Sequence, residues 1–390
     1  MTETDQNSVR VVLPVAQAAD ADRYRQLVQR FGSPLLVYDP QTLRTQYARL
    51  RNALPNVGLY YAVKALPAAD VIRQIAALDG GFDIASAGET QLLLQEDVFG
   101  RRTIHTHPIK KDSEIRDALR YGATTFVVDN IGELEKFKPY RARVGILLRV
   151  SFRSGSAIVD LSRKFGCDFD EAPLLLEHAA TIGVHIKGLS FHVGSQCHDA
   201  AEHVHAIQRC ASLMRTRNAT DQPPMSVLDI GGGFPADYAR RGTDIDAFCA
   251  PIRSALGELP DDWRIIAEPG RYLVAPAVKC ITTVVGVSDR NGIRWYYLDD
   301  GVYGSFSGQI YDHASYPLQT LRDGPTARSV LAGPTCDSID IVAEDIELPE
   351  LTAGDLIIGH EMGAYTAATK TRFNLLPDAR FLNLEALPDS

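Results

Sequence analysis

The sequence predicts an α/β protein in two parts, a (β/α)8 barrel followed by a β-rich domain. Three observations carry this. Between Gly58 and Glu268, eight short apolar runs alternate with stretches of helical periodicity, a rhythm that suits a closed parallel barrel better than an open doubly wound sheet. Beyond Arg271 the pattern changes to strand-like runs separated by turn residues,. Charged, imidazole or glycine groups also recur at the C-terminal ends of the barrel runs, the rim where this fold places its chemistry.

In chain order, Met1–Ser8 is polar and is expected to be disordered,. Val11–Pro14 offers a short strand, Asp20–Phe31 has helical spacing, and Pro34–Asp39 reads as a strand before a helix opened by Pro40,. The barrel strands are expected at Gly58–Lys64, Gly81–Ser86, Thr103–Pro108, Thr124–Asp129, Val144–Val150, Ile186–Gly194, Ser226–Gly231 and Arg264–Glu268. Helical patterns fill most gaps: Asp70–Leu78, Glu89–Glu96, Asp112–Tyr121, Ile131–Phe137, Glu171–Ile182, Glu202–Arg215 and Ile245–Leu256. The longer gap Ser151–Asp170, with Ser162-Arg163-Lys164-Phe165-Gly166, is expected to be a functional loop,. Strand-like runs follow at Val278–Val287, Arg294–Leu298, Ala327–Leu331, Ile339–Val342, Asp355–Ile358 and Arg380–Leu384. The barrel is thus expected over residues 39–275, and the β domain over 9–38 and 276–390.

Composition narrows the function classes. Hydrophobic residues at 45% and charged residues at 23% are ordinary for a globular protein with a large core,. A net charge of −9 argues against nucleic acid and anionic membrane surfaces and favours a small cationic partner,. The six cysteines (Cys167, Cys197, Cys210, Cys249, Cys280, Cys336) form no C-x-x-C pair, which points to reduced thiols in a cytoplasmic protein. There is no signal-like start and no apolar run approaching the ~20 residues of a membrane span.

The chemistry gathers at the strand ends: Lys64, Asp83, Arg149, His192, Gly231-Gly232-Gly233 and Glu268-Pro269-Gly270-Arg271. A desolvated lysine with lowered basicity is what Schiff-base chemistry with an aldehyde cofactor needs; an exposed lysine closing a strand is the plainer reading of Tyr60–Pro67 alone. The triple glycine can present consecutive N–H groups to an anion, beside the Arg271 guanidinium, where one phosphate could sit. A tight exit turn would also explain it. His192 can stack on a planar ring or be a hydrogen-bonded core residue, and with Cys197 and His198 it fits no common zinc spacing, so no metal is expected. Glu268 at a buried strand end needs a cation or a donor: a pyridinium nitrogen, or a structural ion pair with a residue such as Arg271.

Seven motifs then carry a resemblance, in order from about Leu35 to Phe373: YAVK (61–64), GFDIAS (81–86), HVGS (192–195), DIGGGFP (229–235), EPGR (268–271), GPTCD (333–337) and GAYT (363–366). The chain resembles the fold-type III pyridoxal-phosphate decarboxylases, and within them the ornithine/lysine branch (group IV), through DDGVYGSF (299–306) and YDHA (311–314). The resemblance implies an alanine-racemase-like barrel with a C-terminal β domain, pyridoxal 5'-phosphate as cofactor, and a head-to-tail homodimer with shared active sites. It assigns Lys64 to the cofactor aldehyde, His192 to stacking on the ring, and Glu268 to the pyridine nitrogen. Ser195, Gly233, Gly270, Arg271 and Tyr365 would hold the phosphate, with Gly232, Asp83 and Arg149 among the cofactor contacts. Cys336 of the other subunit would return a proton after carbon dioxide leaves. Asp312 and Asp337, with Tyr311, would receive the distal ammonium of the substrate. Leu66 stands where the family commonly has asparagine.

Two carboxylates for a terminal ammonium put L-ornithine first and L-lysine second, ahead of diaminopimelate and of an unusual amino acid from specialised biosynthesis. Racemases of this fold place arginine at the ring nitrogen, which Glu268 argues against. Non-catalytic regulatory homologues tend to lose the cofactor groups, whereas Lys64, Glu268 and Cys336 are present.

Overall fold

The computed structural model describes residues 11–152, 163–240 and 242–387. The chain divides into two compact units: Arg44–Pro235 with Thr243–Tyr272, and Met1–Leu43 with Ala236–Gly242 and Leu273–Ser390. The first strand in the chain, β1 (Leu35–Tyr38), belongs to the second unit.

The first unit is a closed barrel of eight parallel strands: β2 (Val57–Ala62), β3 (Gly81–Ile84), β4 (Thr103–His105), β5 (Thr125–Val128), β6 (Gly145–Val150), β7 (Ile186–Phe191), β8 (Val227–Asp229) and β9 (Arg264–Ala267). All eight expected strands form, each shorter than expected, and β2 starts one residue earlier, at Val57. Tyr60, Ile104, Val127, Leu147, Val227 and Ile266, from six different strands, pack together as buried core. The helices between strands start and stop on local chemistry. Ser86 and Asn130 accept the N–H groups of Glu89 and Glu133 at two N-termini,. Gly122 and Gly183 close two others in the left-handed conformation,.

The loop expected over 151–170 is described only in part, residues 153–162 lying outside the described residues. Its return segment is tied back to the barrel: the Gly166 N–H donates to Asp129 at 2.9 Å, and the Cys167 N–H to the Arg149 carbonyl at 3.0 Å.

The second unit is a mixed sheet built on β10 (Val278–Arg290), which pairs antiparallel with β1. The path includes β11 (Ile293–Leu298), β12 (Leu318–Thr320), β13 (Thr326–Ala332), β14 (Ile341–Pro349) and β15 (Leu356–Gly359) in the order β12-β15-β10-β11-β13-β14. The last strand, β16 (Arg380–Asn383), pairs parallel with β1. Tyr24, Leu27, Leu35, Val37, Ile281, Leu356, Ile358 and Leu382 form its core. Two expectations need correction. The run expected at Ile339–Val342 is the start of the longer β14, and β12 was not foreseen. Among the described residues no helix is long and apolar enough to cross a membrane.

Candidate active site

Strand alternation decides what enters the barrel. Leu147 and Val227 are core residues of the interior and both pair with Gly188. Two residues further on, Arg149, Ser190 and Asp229 are aligned across β6, β7 and β8, so they point the same way,. Asp83 is aligned with the interior residue Ile104. A polar layer of Asp83, Arg149, Ser190 and Asp229 therefore sits on the apolar one, at the C-terminal rim.

Lys64 does not end β2 as expected. The strand stops at Ala62, whose N–H donates to the Pro269 carbonyl at 3.1 Å, and Lys64 lies in the single 3-10 turn Val63–Ala65. That turn carries its ammonium to 2.6 Å from Asp83 Oδ2, with the lysine side chain 41% exposed and the aspartate side chain fully covered. Thr106 donates to the other oxygen of Asp83. The amine is accessible, and its counter-ion is fixed.

Glu268 follows β9 and is buried. Its carboxyl is pushed well above the usual range, first by burial and then by the negative charges of Asp229 and Asp83,. Burial also lowers the basicity of Arg149, with Glu268 the leading opposing charge. His192 lies just beyond β7 and is kept neutral, held well below the ordinary imidazole range by burial and then by Arg149 and Lys64. Its Nδ1 accepts the Gly194 N–H at 3.0 Å.

The glycines leave room that side chains would fill. A Cβ on Gly232 would stand 2.7 Å from the Glu268 carbonyl and 3.1 Å from His192 Nε2. On Gly233, at φ +93°, it would stand 2.6 Å from the Gly194 carbonyl, and on Gly270 it would meet Ala65 Cβ at 3.0 Å. Arg271 Nη2 donates to Ser195 Oγ at 3.1 Å. Lys64, Asp83, Arg149, His192, Ser195, Gly232, Gly233, Glu268, Gly270 and Arg271 are thus all carried by barrel strand ends.

The remaining candidates belong to the β unit. Tyr311 ends a short helix, Gly308–Tyr311, and is 58% exposed, with Asp312 capping the same turn. Cys336 is exposed, its N–H donating to Asn374 Oδ1 at 3.0 Å. Asp337 accepts the Tyr303 hydroxyl at 2.5 Å, which holds its carboxyl below the usual range. Tyr365 sits at φ +55°.

Several buried polar residues of the barrel unit were not singled out from the sequence. Asp229 lay within a motif read for its glycines. His203, fully buried on the helix Ala200–Asn218, donates from Nε2 to the Gly232 carbonyl at 3.0 Å. Lys110 is 2% exposed, its ammonium held by the carbonyls of His107, Pro108 and Val127 at 2.6, 2.9 and 2.6 Å.

An accessible amine, a buried carboxyl pair and a glycine-lined cradle beside a guanidinium, all on one rim of a (β/α)8 barrel, define a barrel enzyme built around an aldehyde cofactor with a phosphate tail. The residues fit pyridoxal phosphate: the Lys64 amine is exposed on the rim for an aldehyde, Arg271 and Ser195 stand together for a phosphate, and the Gly232 cradle would be closed by a single methyl group. Comparison with known proteins agrees. The family model for the pyridoxal binding domain of pyridoxal-dependent decarboxylases matches residues 41–275. Lysine/ornithine decarboxylase of Selenomonas ruminantium is 36% identical over 353 residues, 89% of this chain and 88% of that protein. Antizyme inhibitor 2 of Xenopus laevis is 35% identical over 383 residues, 93% of this chain and 81% of its own. The crystal structure of Vibrio vulnificus lysine/ornithine decarboxylase complexed with cadaverine is 49% identical and superposes with a TM-score of 0.91, covering 95% of this chain and 100% of that one. The chain belongs to the pyridoxal-dependent decarboxylase family and is a pyridoxal-phosphate-dependent decarboxylase.

Proposed function

We propose that the protein decarboxylates a basic L-amino acid, L-ornithine or L-lysine, releasing the corresponding diamine. The observation that carries the chemistry is the Lys64–Asp83 pair at 2.6 Å on the rim that also holds the buried Glu268. Its similarity to lysine/ornithine decarboxylases of two bacteria supports the substrate class. Asp337 supports it physically, because a carboxyl kept ionised by the Tyr303 hydroxyl is a ready counter-charge for an ammonium,.

When bound, pyridoxal phosphate supplies an electron-withdrawing ring that accepts the electron pair left by departing carbon dioxide. Lys64 would hold the aldehyde end, with Asp83 keeping the ammonium in place until its proton is given up. Ser195, Arg271 and the N–H groups around Gly232, Gly233 and Gly270 would receive the phosphate, with Tyr365 a further contact. His192, held neutral, offers a flat face to the ring without adding charge, and Arg149 supplies a cation among the buried carboxyls. Glu268 would accept the ring N–H and so keep the nitrogen positive. By the family resemblance, a second copy of the chain would contribute Cys336, whose Sγ delivers a proton to the carbon that lost carbon dioxide, and Tyr311, Asp312 and Asp337, which would take the distal ammonium. A cytoplasmic homodimer with shared active sites is the assembly this reading requires.

A panel of amino acids incubated with protein and cofactor tests it. Putrescine from ornithine and cadaverine from lysine, each with carbon dioxide, are expected. Absence of amine from both, in a protein that binds the cofactor, would overturn the substrate assignment.

A further inference from the structure

Asp229 is a buried carboxyl for which the mechanism above has no use. It is 0% exposed at the end of β8 and faces the barrel interior. Its Oδ1 accepts the Gly231 N–H at 2.9 Å, while the Gly231 carbonyl accepts the N–H of Glu268 at 2.8 Å, so one glycine clasps both acids. That glycine cannot be replaced cheaply: it sits at φ +66°, and a Cβ would lie 2.3 Å from the Phe191 carbonyl,. Asp229 Oδ2 is buried without a hydrogen-bond partner of ordinary geometry, and the Glu268 carboxyl acts on it directly. The charges facing the pair are Arg149, Asp83 and Lys64, with the Tyr60 phenol close to Asp229.

Two carboxylates in so dry a place cannot both ionise cheaply. Burial raises both, Asp229 to about 6 and Glu268 well above its ordinary value. One proton is therefore shared at neutral pH.

We propose that Asp229 is a positioning residue that shares this proton with Glu268. In the free enzyme the two carboxyls hold the proton between them. When Glu268 accepts the ring N–H of the cofactor, the shared proton is held as an O–H bond at Asp229 Oδ2, any O–H bond at Glu268 having broken, so the pair keeps a charge of minus one. Asp229 then donates to the Glu268 carboxylate, fixing its orientation and preventing a second negative charge beside the ring. This rests on the assignment of Glu268 to the ring nitrogen.

The test is the dissociation constant of pyridoxal phosphate for apoenzyme, measured by absorbance between pH 6 and 9 for wild type, Asp229→Asn and Asp229→Ala. Asparagine can still accept from Gly231 and donate to Glu268, but it does not titrate. Asp229→Asn should bind within about three-fold of wild type at neutral pH, whereas Asp229→Ala should lose at least about ten-fold. As pH rises past the point where the free pair loses its shared proton, wild-type affinity should fall about ten-fold per unit relative to Asp229→Asn, because binding must take that proton back. The ratio of the two curves cancels the titrations of Lys64 and of the free cofactor. Parallel curves, or an Asp229→Asn variant as weak as Asp229→Ala, would refute the role of Asp229. If Asp229→Ala does not fold, the comparison of wild type with Asp229→Asn still decides. Failure of borohydride to fix the cofactor on the wild-type chain would instead sink the underlying reading, and the proposal with it.

Discussion

Gly232→Ala isolates the glycine cradle from backbone strain, because Gly232 is not among the residues with positive φ. The added methyl group would stand 2.7 Å from the Glu268 carbonyl oxygen and 3.1 Å from His192 Nε2. The first contact is with backbone held by its own hydrogen bonds: Glu268 N–H to Gly231 at 2.8 Å, and Ala62 N–H to the adjacent Pro269 carbonyl at 3.1 Å. The second is with the ring assigned to stack on the cofactor. Overpacking of this kind costs about 1–3 kcal/mol, and each 1.4 kcal/mol is about ten-fold in affinity. If the chain does not relax in the free state, thermal stability falls; if His192 gives way, cofactor affinity falls by about five-fold to a hundred-fold. Titration of apoenzyme with pyridoxal phosphate and thermal unfolding of the same sample measure both losses. Gly292→Ala is the control, since nothing lies within 4 Å of a Cβ there and φ is +75°; it should cost about 1 kcal/mol of stability and leave the cofactor alone. A Gly232→Ala protein with unchanged melting temperature and affinity within two-fold of wild type would refute the steric argument.

Lys64→Ala should leave no amine at the rim for borohydride to join to the cofactor, and recovery of a cofactor-bearing peptide from another lysine would overturn its assignment. Asp337→Asn keeps an acceptor for Tyr303 but removes the charge, so KM for a diamino acid should rise about ten-fold or more; unaltered kinetics would dismiss the distal-ammonium role. Lys110→Met strands three carbonyl acceptors and should cost about 2–5 kcal/mol in thermal or chemical unfolding. The pH dependence gives that variant a second readout. Lys110 is lowered to about 7 by burial, against about 10.4 unfolded. Between those values the unfolded chain binds the extra proton, so wild-type stability should climb from about pH 7 toward about pH 10 relative to the variant. Parallel stability curves would remove Lys110 as the cause.

The barrel was legible because each strand is a short apolar run bounded by turn residues, and because the rim groups stand at the ends of those runs. Alternation even predicts the inward direction of Asp229, two residues after Val227. Its importance was hidden because its partner, Glu268, comes from the next strand, and no local spacing links them. The same holds for His203 and Gly232, 29 residues apart, and for Tyr303 and Asp337, 34 apart. In β14 the two-residue period is broken at Glu344-Asp345, where both residues are exposed and Asp345 takes φ +53°, so only its first residues read as a strand. Strand β12 has three residues, too few to show a period. The end of β2 at Ala62, before the 3-10 turn at Lys64, coincides with the Ala62 hydrogen bond to Pro269, a contact from the far end of the barrel sequence that no local pattern shows.

The way Lys110 is held also bears on how an aldehyde chooses among amines. Depressed basicity by itself would favour Lys110 as a nucleophile, since burial lowers the amine to about 7 and leaves part of it with a lone pair at neutral pH. Its nitrogen, however, is buried and closed in by three carbonyl oxygens that take its hydrogens, which leaves an incoming aldehyde no path to it. The contrast with Lys64 is one of access: its side chain is 41% exposed on the rim, whereas Lys110 is 2% exposed, so lowered basicity at Lys110 does not make it available to an aldehyde.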